Sequence, residues 1–150
     1  MKFYHATPWE SARQIQKDGK IKASWDGGVY LCKDPADSCK FMIIRFVQRV
    51  AVFEVDLPEE SVQESYDHSE EFFGCKAYIH TGDIDLTGQE DVTFYDFTSI
   101  WKGAGRMKER RDAPDPMKAF RAIALIITQR GEAQVKLKAV RSIQQEKKAG

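Results

Sequence analysis

The first 48 residues carry alternating strand and helix signals in an order that leaves few folds open. Phe3-Tyr4-His5 is a short aromatic run that predicts a strand. Thr7-Pro8-Trp9-Glu10 then has the spacing of a capping box, with Pro at the first helical position. Trp9, Ala12 and Ile15 continue at helical spacing, and Asp18-Gly19 supplies a left-handed stop. Ile21 begins a brief extended segment, Trp25-Asp26-Gly27-Gly28 reads as a loop, and Val29-Tyr30-Leu31-Cys32 as a second strand. Asp34-Pro35 opens a second helix, with Ala36, Cys39, Ile43 and Phe46 on one face, running to about Gln48.

Further along, the chain changes character. Between Val50 and Leu57, Ala51, Phe53, Val55 and Leu57 alternate with Val52, Glu54 and Asp56, which predicts a half-buried strand ended by Pro58. Residues 59–71 hold six carboxylates without periodicity and read as a long loop, a feature more often functional than decorative. Ala77-Tyr78-Ile79-His80 and the run from Asp91 to Phe97 are two more strands, separated by a turn at Thr81-Gly82-Asp83. Asp115-Pro116 caps a helix whose stripe is Met117, Phe120, Ile123, Ala124 and Ile127, ending before Gly131. Gln134 to Ala139 alternates as an edge strand would, while Val140 to Lys148 reads equally as a solvated helix. Strands and helices in this order predict an α+β fold with helices gathered early and an antiparallel-rich sheet later.

Composition sets the outer bounds. A chain of 150 residues with 42% hydrophobic and 31% charged residues suits one globular domain. The longest strongly apolar stretch, Ala122 to Ile127, falls well short of the roughly 20 residues of a membrane span, so no membrane partner is expected. The opening Met1-Lys2-Phe3-Tyr4-His5 has no apolar run of a secretory signal. Cys32, Cys39 and Cys75 are odd in number and lack C-x-x-C spacing, which predicts reduced thiols and a cytoplasmic location. The zero net charge hides an asymmetry: residues 1–100 carry 10 Lys and Arg against 18 Asp and Glu, and residues 101–150 carry 13 against 5. The basic part either meets an acidic partner or nucleic acid, or neutralises the acidic body, and the second account is the simpler. Two segments follow, a core over 1–100 and a basic, largely helical extension over 101–150 packed on it within a single domain, with 102–114 as the linker candidate.

Glycine-rich nucleotide loops, a G-x-S-x-G elbow, H-E-x-x-H and Cys/His clusters are all missing from the sequence, and His5, His68 and His80 are too scattered to predict a metal centre. Two motifs stand out instead, Phe3-Tyr4-His5-Ala6-Thr7 and, some 25 residues later, Gly28-Val29-Tyr30-Leu31 before a helix. Their order and spacing resemble the ADP-ribosyltransferase superfamily, which includes poly-ADP-ribose polymerases, rifampin-modifying transferases and RNA 2′-phosphotransferases. Val52 to Pro58 and Gly82-Asp83-Ile84 also look like strands of that fold, so the resemblance covers about residues 2–97.

The resemblance implies a split antiparallel sheet with flanking helices and NAD as substrate. It implies that His5 donates to a ribose hydroxyl of NAD, that the backbone from His5 through Ala6 to Thr7 grips the nicotinamide carboxamide, and that Tyr30 stacks on nicotinamide. Ala6 stands where the family has Gly, which narrows the backbone's approach to a ligand. The late-strand glutamate of the protein-modifying members has no counterpart in Lys76 to His80. Glu71 is the candidate for its place, with Glu70 beside it and Asp67-His68 further back. The reaction implied is transfer of ADP-ribose to a macromolecular acceptor, a protein before a nucleic acid, with release of nicotinamide. The family suggests a toxin, an anti-defence factor or a phage-like modifier. The alternatives are a degenerate binding module of the same fold, for protein or nucleic acid, and an NAD glycohydrolase. Taken singly, Tyr30 reads as core, His5 as a solvated imidazole and Glu70-Glu71 as a solvated loop. Trp9 and Phe46 read as core, and Trp25 as a lid or a surface anchor.

Overall fold

A computed structural model describes residues 1–66, 69–100, 115–129 and 134–136. The linker candidate 102–114, the Asp67-His68 pair and the basic stretch after 136 lie outside the described residues. The architecture is mixed α+β, and every strand pairing described is antiparallel.

The centre is β4 (Arg49–Asp56), between β1 (Lys2–Pro8) and β8 (Asp91–Asp96), with β9 (Gln134–Lys136) outside β8. β1 pairs with β4 from Lys2 opposite Asp56 to Pro8 opposite Val50. A second sheet has the order β3 (Gly28–Leu31), β6 (Ala77–Thr81), β5 (Val62–Ser65). A two-stranded piece joins β2 (Lys20–Ile21) to β7 (Ile84–Asp85). Among the described residues four helices flank the sheets: α1 (Trp9–Asp18), α2 (Pro35–Ile43), α3 (Glu70–Phe73) and α4 (Pro116–Gln129).

Two apolar cores lie on opposite faces of β4. Ala51, Phe53 and Val55 join Phe3, Ala12, Val29 and Leu31 on one face. Val50 and Val52 join Ala6, Cys39, Ile43, Phe73, Phe120 and Ile123 on the other. β4 is therefore buried on both sides and not half-buried as its alternation predicts. A central strand covered by helices on one face and by β3 and α1 on the other has no solvent side for its alternation to report.

Several boundaries differ from the sequence reading. Thr7 is no cap: it is buried in β1 opposite Ala51, and α1 starts at Trp9 after an extended Pro8 with no side-chain cap bond. Strand pairing as far as Pro8 takes precedence over the local capping pattern. α1 does end at Gly19, left-handed with φ 69°, and Asp34 caps α2 by accepting from the Ala36 N–H at 2.8 Å. α2 stops at Ile43 rather than near Gln48, because Phe46 takes a left-handed φ of 64° and turns the chain into β4. The expected loop over 59–71 contains a 3-10 turn (Glu59–Ser61), β5 and α3. β5 is an edge strand paired on one side only, so its sequence carries little apolar alternation. The buried side of α4 is Ala119, Phe120 and Ile123, whereas Met117 and Ala124 face solvent. Phe120 packs against Phe72 and Phe73 of α3, which binds α4 to the body of the fold. Among the described residues no helix is long and apolar enough to cross a membrane.

Candidate functional site

The two larger sheets meet at β1 and β3, and they meet at one point. Tyr4 and Cys32 exchange both backbone hydrogen bonds, at 2.8 and 2.9 Å, in an isolated bridge. In an antiparallel strand the N–H and C=O of residues i and i+2 point to the same edge. The N–H and C=O of Ala6 therefore point toward β3, as those of Tyr4 do, but beyond the bridge the strands separate. The Tyr30 carbonyl points back across the same gap, and a side chain takes it in place of a strand: His5 Nδ1 lies 2.9 Å from Tyr30 O.

The gap opens into a cleft of about 540 Å³, within the range of small-molecule sites. His5, Ala6, Thr7 and Tyr30 all line it, so the fold brings Tyr30 beside a tripeptide of the first strand. The opposite wall is the end of α2 and the turn after it, with Phe41, Met42 and Arg45. Lys22 and Asp26 border the mouth, and Trp25 beside them is 98% exposed. The Trp25 ring thus stands in solvent at the rim. Trp9 is part-buried, donating its indole N–H to the Tyr95 carbonyl at 3.1 Å, and Phe46 is half-buried beyond the end of α2.

The hydrogen bond fixes the chemistry of His5. A carbonyl only accepts, so Nδ1 carries the proton, and in the neutral ring Nε2 is left as an acceptor. Burial holds the imidazole below its ordinary value, outweighing the carbonyl contact, and so favours that neutral form. In that tautomer Nε2 can accept from a hydroxyl, whereas the resemblance to the ADP-ribosyltransferases implies a donor there. Next to it, Tyr4 donates to Glu54 Oε1 at 2.9 Å, and burial together with that carboxylate pushes the phenol up to about 12.

Asp26 is the residue that sequence reasoning passed over as a loop position. Its carboxylate accepts from the Ser24 hydroxyl, from the Tyr30 hydroxyl and from the Gly28 N–H at 3.2 Å. The hydroxyl bonds from Ser24 and Tyr30 hold it below the usual carboxylate range. Tyr30 is thus held at its carbonyl by His5 and at its hydroxyl by Asp26. Gly28 permits the close packing behind it, since a Cβ there would fall 2.2 Å from the Ile79 side chain. The available signal was Ser-x-Asp-Gly-Gly with its Asp four residues before a tyrosine, a turn pattern whose carboxylate hydrogen-bonds locally.

Glu71 lies elsewhere. It is exposed on α3 and is not among the residues that line the cleft. Ala77, the first residue of β6, lines the wall beside Cys32. Asp26 is the carboxylate among the described lining residues, and the described residues contain no group of His, Cys, Asp and Glu suited to a metal ion. No family model, curated protein or solved structure matches the chain.

Proposed function

We propose that this protein binds NAD in the cleft between β1 and β3 and transfers its ADP-ribose to a macromolecular acceptor, releasing nicotinamide. The observation that carries this reading is the gap past the Tyr4–Cys32 bridge, where the Ala6 N–H and C=O face an anchored Tyr30 across an open cleft. A carboxamide presents one acceptor and one donor, the complement of a strand's free N–H and C=O. The nicotinamide ring, flat and cationic, lies against the Tyr30 face. The His5 Nε2 accepts from a ribose hydroxyl, and Lys22 and Arg45 at the rim offer positive charge to the pyrophosphate. In the reaction the bond from the ribose anomeric carbon to nicotinamide breaks, nicotinamide leaves with the electron pair, and the acceptor's nucleophile attacks that carbon and loses its proton.

A second reading has its own observation. Ala77 lines the wall of the strand from which the protein-modifying transferases present their acid, and Glu71 is exposed outside the cleft. A binding module of this architecture, holding NAD or a related dinucleotide without turnover, accounts for that wall. Glycohydrolysis, with water as the acceptor, is the third outcome.

Calorimetric titration with NAD, followed by incubation with NAD labelled in the adenosine and a cell lysate, separates these. Binding with label retained on a macromolecule supports transfer, and binding with label only in free ADP-ribose assigns glycohydrolysis. Binding with intact NAD assigns the module. Absence of binding, or binding and turnover unaltered in Tyr30→Ala, overturns the site.

A further inference from the structure

The turn that leads into Tyr30 carries a second aromatic ring. Residues 22–27 precede β3, and hydrogen bonds hold them at several points. The Ala23 N–H donates to Asp83 Oδ1 at 2.7 Å, and the Ser24 N–H to the Gly28 carbonyl at 2.9 Å. The Gly27 N–H donates to the Ser24 carbonyl at 2.9 Å, and the Gly82 N–H to the Gly27 carbonyl at 2.8 Å. Asp26 ties the turn from within, accepting from Ser24, Gly28 and the Tyr30 hydroxyl. From this anchored turn the Trp25 side chain stands almost wholly in solvent at the mouth of the cleft.

An indole in that position buries almost no apolar surface and so adds little to the folded state. Presented on a fixed turn, it offers a flat face at small ordering cost to a ligand ring that lies on it. The cleft also has a direction. His5 meets the Tyr30 carbonyl at one end, while the Tyr30 hydroxyl reaches Asp26, next to Trp25, at the mouth. Of the other aromatic rings described in the lining, Phe41 is stacked on Phe73 at 4.3 Å and Tyr4 is held by Glu54, which leaves Trp25 with its ring faces open.

We infer that Trp25 is the stacking platform for the adenine of NAD, so that one turn, tied by Asp26, presents an aromatic face to each ring of the dinucleotide. The inference rests on the NAD reading above and assigns the side chain that takes the second ring. Nicotinamide and adenine are flat rings joined through two riboses and a pyrophosphate. With the first against Tyr30, the second emerges at the rim, where Arg45 is exposed on the opposite wall for the phosphates. Stacking of a base on an aromatic side chain requires no particular pattern of hydrogen bonds at the base edge.

The two halves of the dinucleotide separate the roles. Wild type, Trp25→Ala and Trp25→Phe are titrated by calorimetry with NAD, ADP-ribose and nicotinamide mononucleotide, with circular dichroism confirming that the variants fold. Trp25→Ala should weaken NAD and ADP-ribose about tenfold and leave nicotinamide mononucleotide unchanged, and Trp25→Phe should restore most of the loss. ADP-ribose should quench the fluorescence of wild type, and the quench should vanish in Trp25→Phe, which retains Trp9 and Trp101. NAD bound as tightly by Trp25→Ala as by wild type overturns the adenine platform and leaves the cleft reading standing. Unaltered affinity with loss of label on macromolecules overturns it too, and assigns Trp25 to the acceptor. An equal loss for all three ligands overturns it as well, because Trp25 then acts through the turn on Tyr30. Wild type that binds none of the three overturns the NAD reading and the platform together.

Discussion

Strand β1 has two edges with different fates. One edge pairs with β4 along its whole length, Lys2 through Pro8, between two apolar cores. The other edge touches β3 only at Tyr4 and Cys32 and then turns its Ala6 groups into the cleft. The first edge satisfies backbone groups by pairing, and nothing else can reach them. The second leaves groups aimed at a cavity, with side chains, His5 and Asp26, holding Tyr30 in place where a strand is missing. Stability therefore concentrates on the β4 edge and the proposed recognition on the β3 edge, and each can be damaged separately.

The largest effect is expected from the closed edge. Phe53 is fully buried in β4 opposite His5, and Phe53→Ala should cost about 3–5 kcal/mol in chemical denaturation. A cost near zero would mean that the core beneath the β1–β4 edge is not packed as described. Tyr30→Ala is the mirror experiment. Tyr30 is half-exposed, so its removal should change stability by about 1 kcal/mol. NAD affinity should fall on the order of tenfold, the size of a lost aromatic contact. A variant that loses stability and binding together would erase the division between the two edges.

Smaller changes sharpen the same contrast. Asp34→Ala removes the cap of α2 and should cost about 1 kcal/mol by thermal melting without altering the β1 edge. Asp26→Asn keeps the size but loses the charge that holds the Tyr30 hydroxyl, so NAD titration should show a weaker loss than Tyr30→Ala, with unfolding unchanged. The mildest effect is that of pH. His5 has a lowered folded value, so the unfolded chain binds more protons between that value and the ordinary imidazole value of about 6.5. Stability should fall as pH drops through that window, and His5→Gln should flatten that part of the stability profile. A profile unchanged in the variant would locate the proton uptake elsewhere.

Much of this was legible along the chain. The strands at Phe3–His5, Val29–Leu31, Val50–Leu57 and Asp91–Phe97 carry their own β-forming side chains, and Gly19 and Asp34 mark helix ends through local chemistry. What the sequence could not report was pairing. Thr7 has the local look of a cap yet lies in a strand, because β4 supplies partners as far as Pro8. β5 looks like loop, because an edge strand needs only one neighbour and that neighbour is β6.

The sequence by itself determined the α+β class, most of the elements and the presence of a histidine strand and a tyrosine strand some 25 residues apart. The tertiary structure decided that β1 and β3 meet at a single bridge and then part, that Asp26 reaches the Tyr30 hydroxyl, and that Glu71 lies outside the cleft. The physical reason is one of range. Propensity and capping act over a few residues, whereas a cleft is set by where two strands stop sharing hydrogen bonds, which depends on the packing of both cores at once.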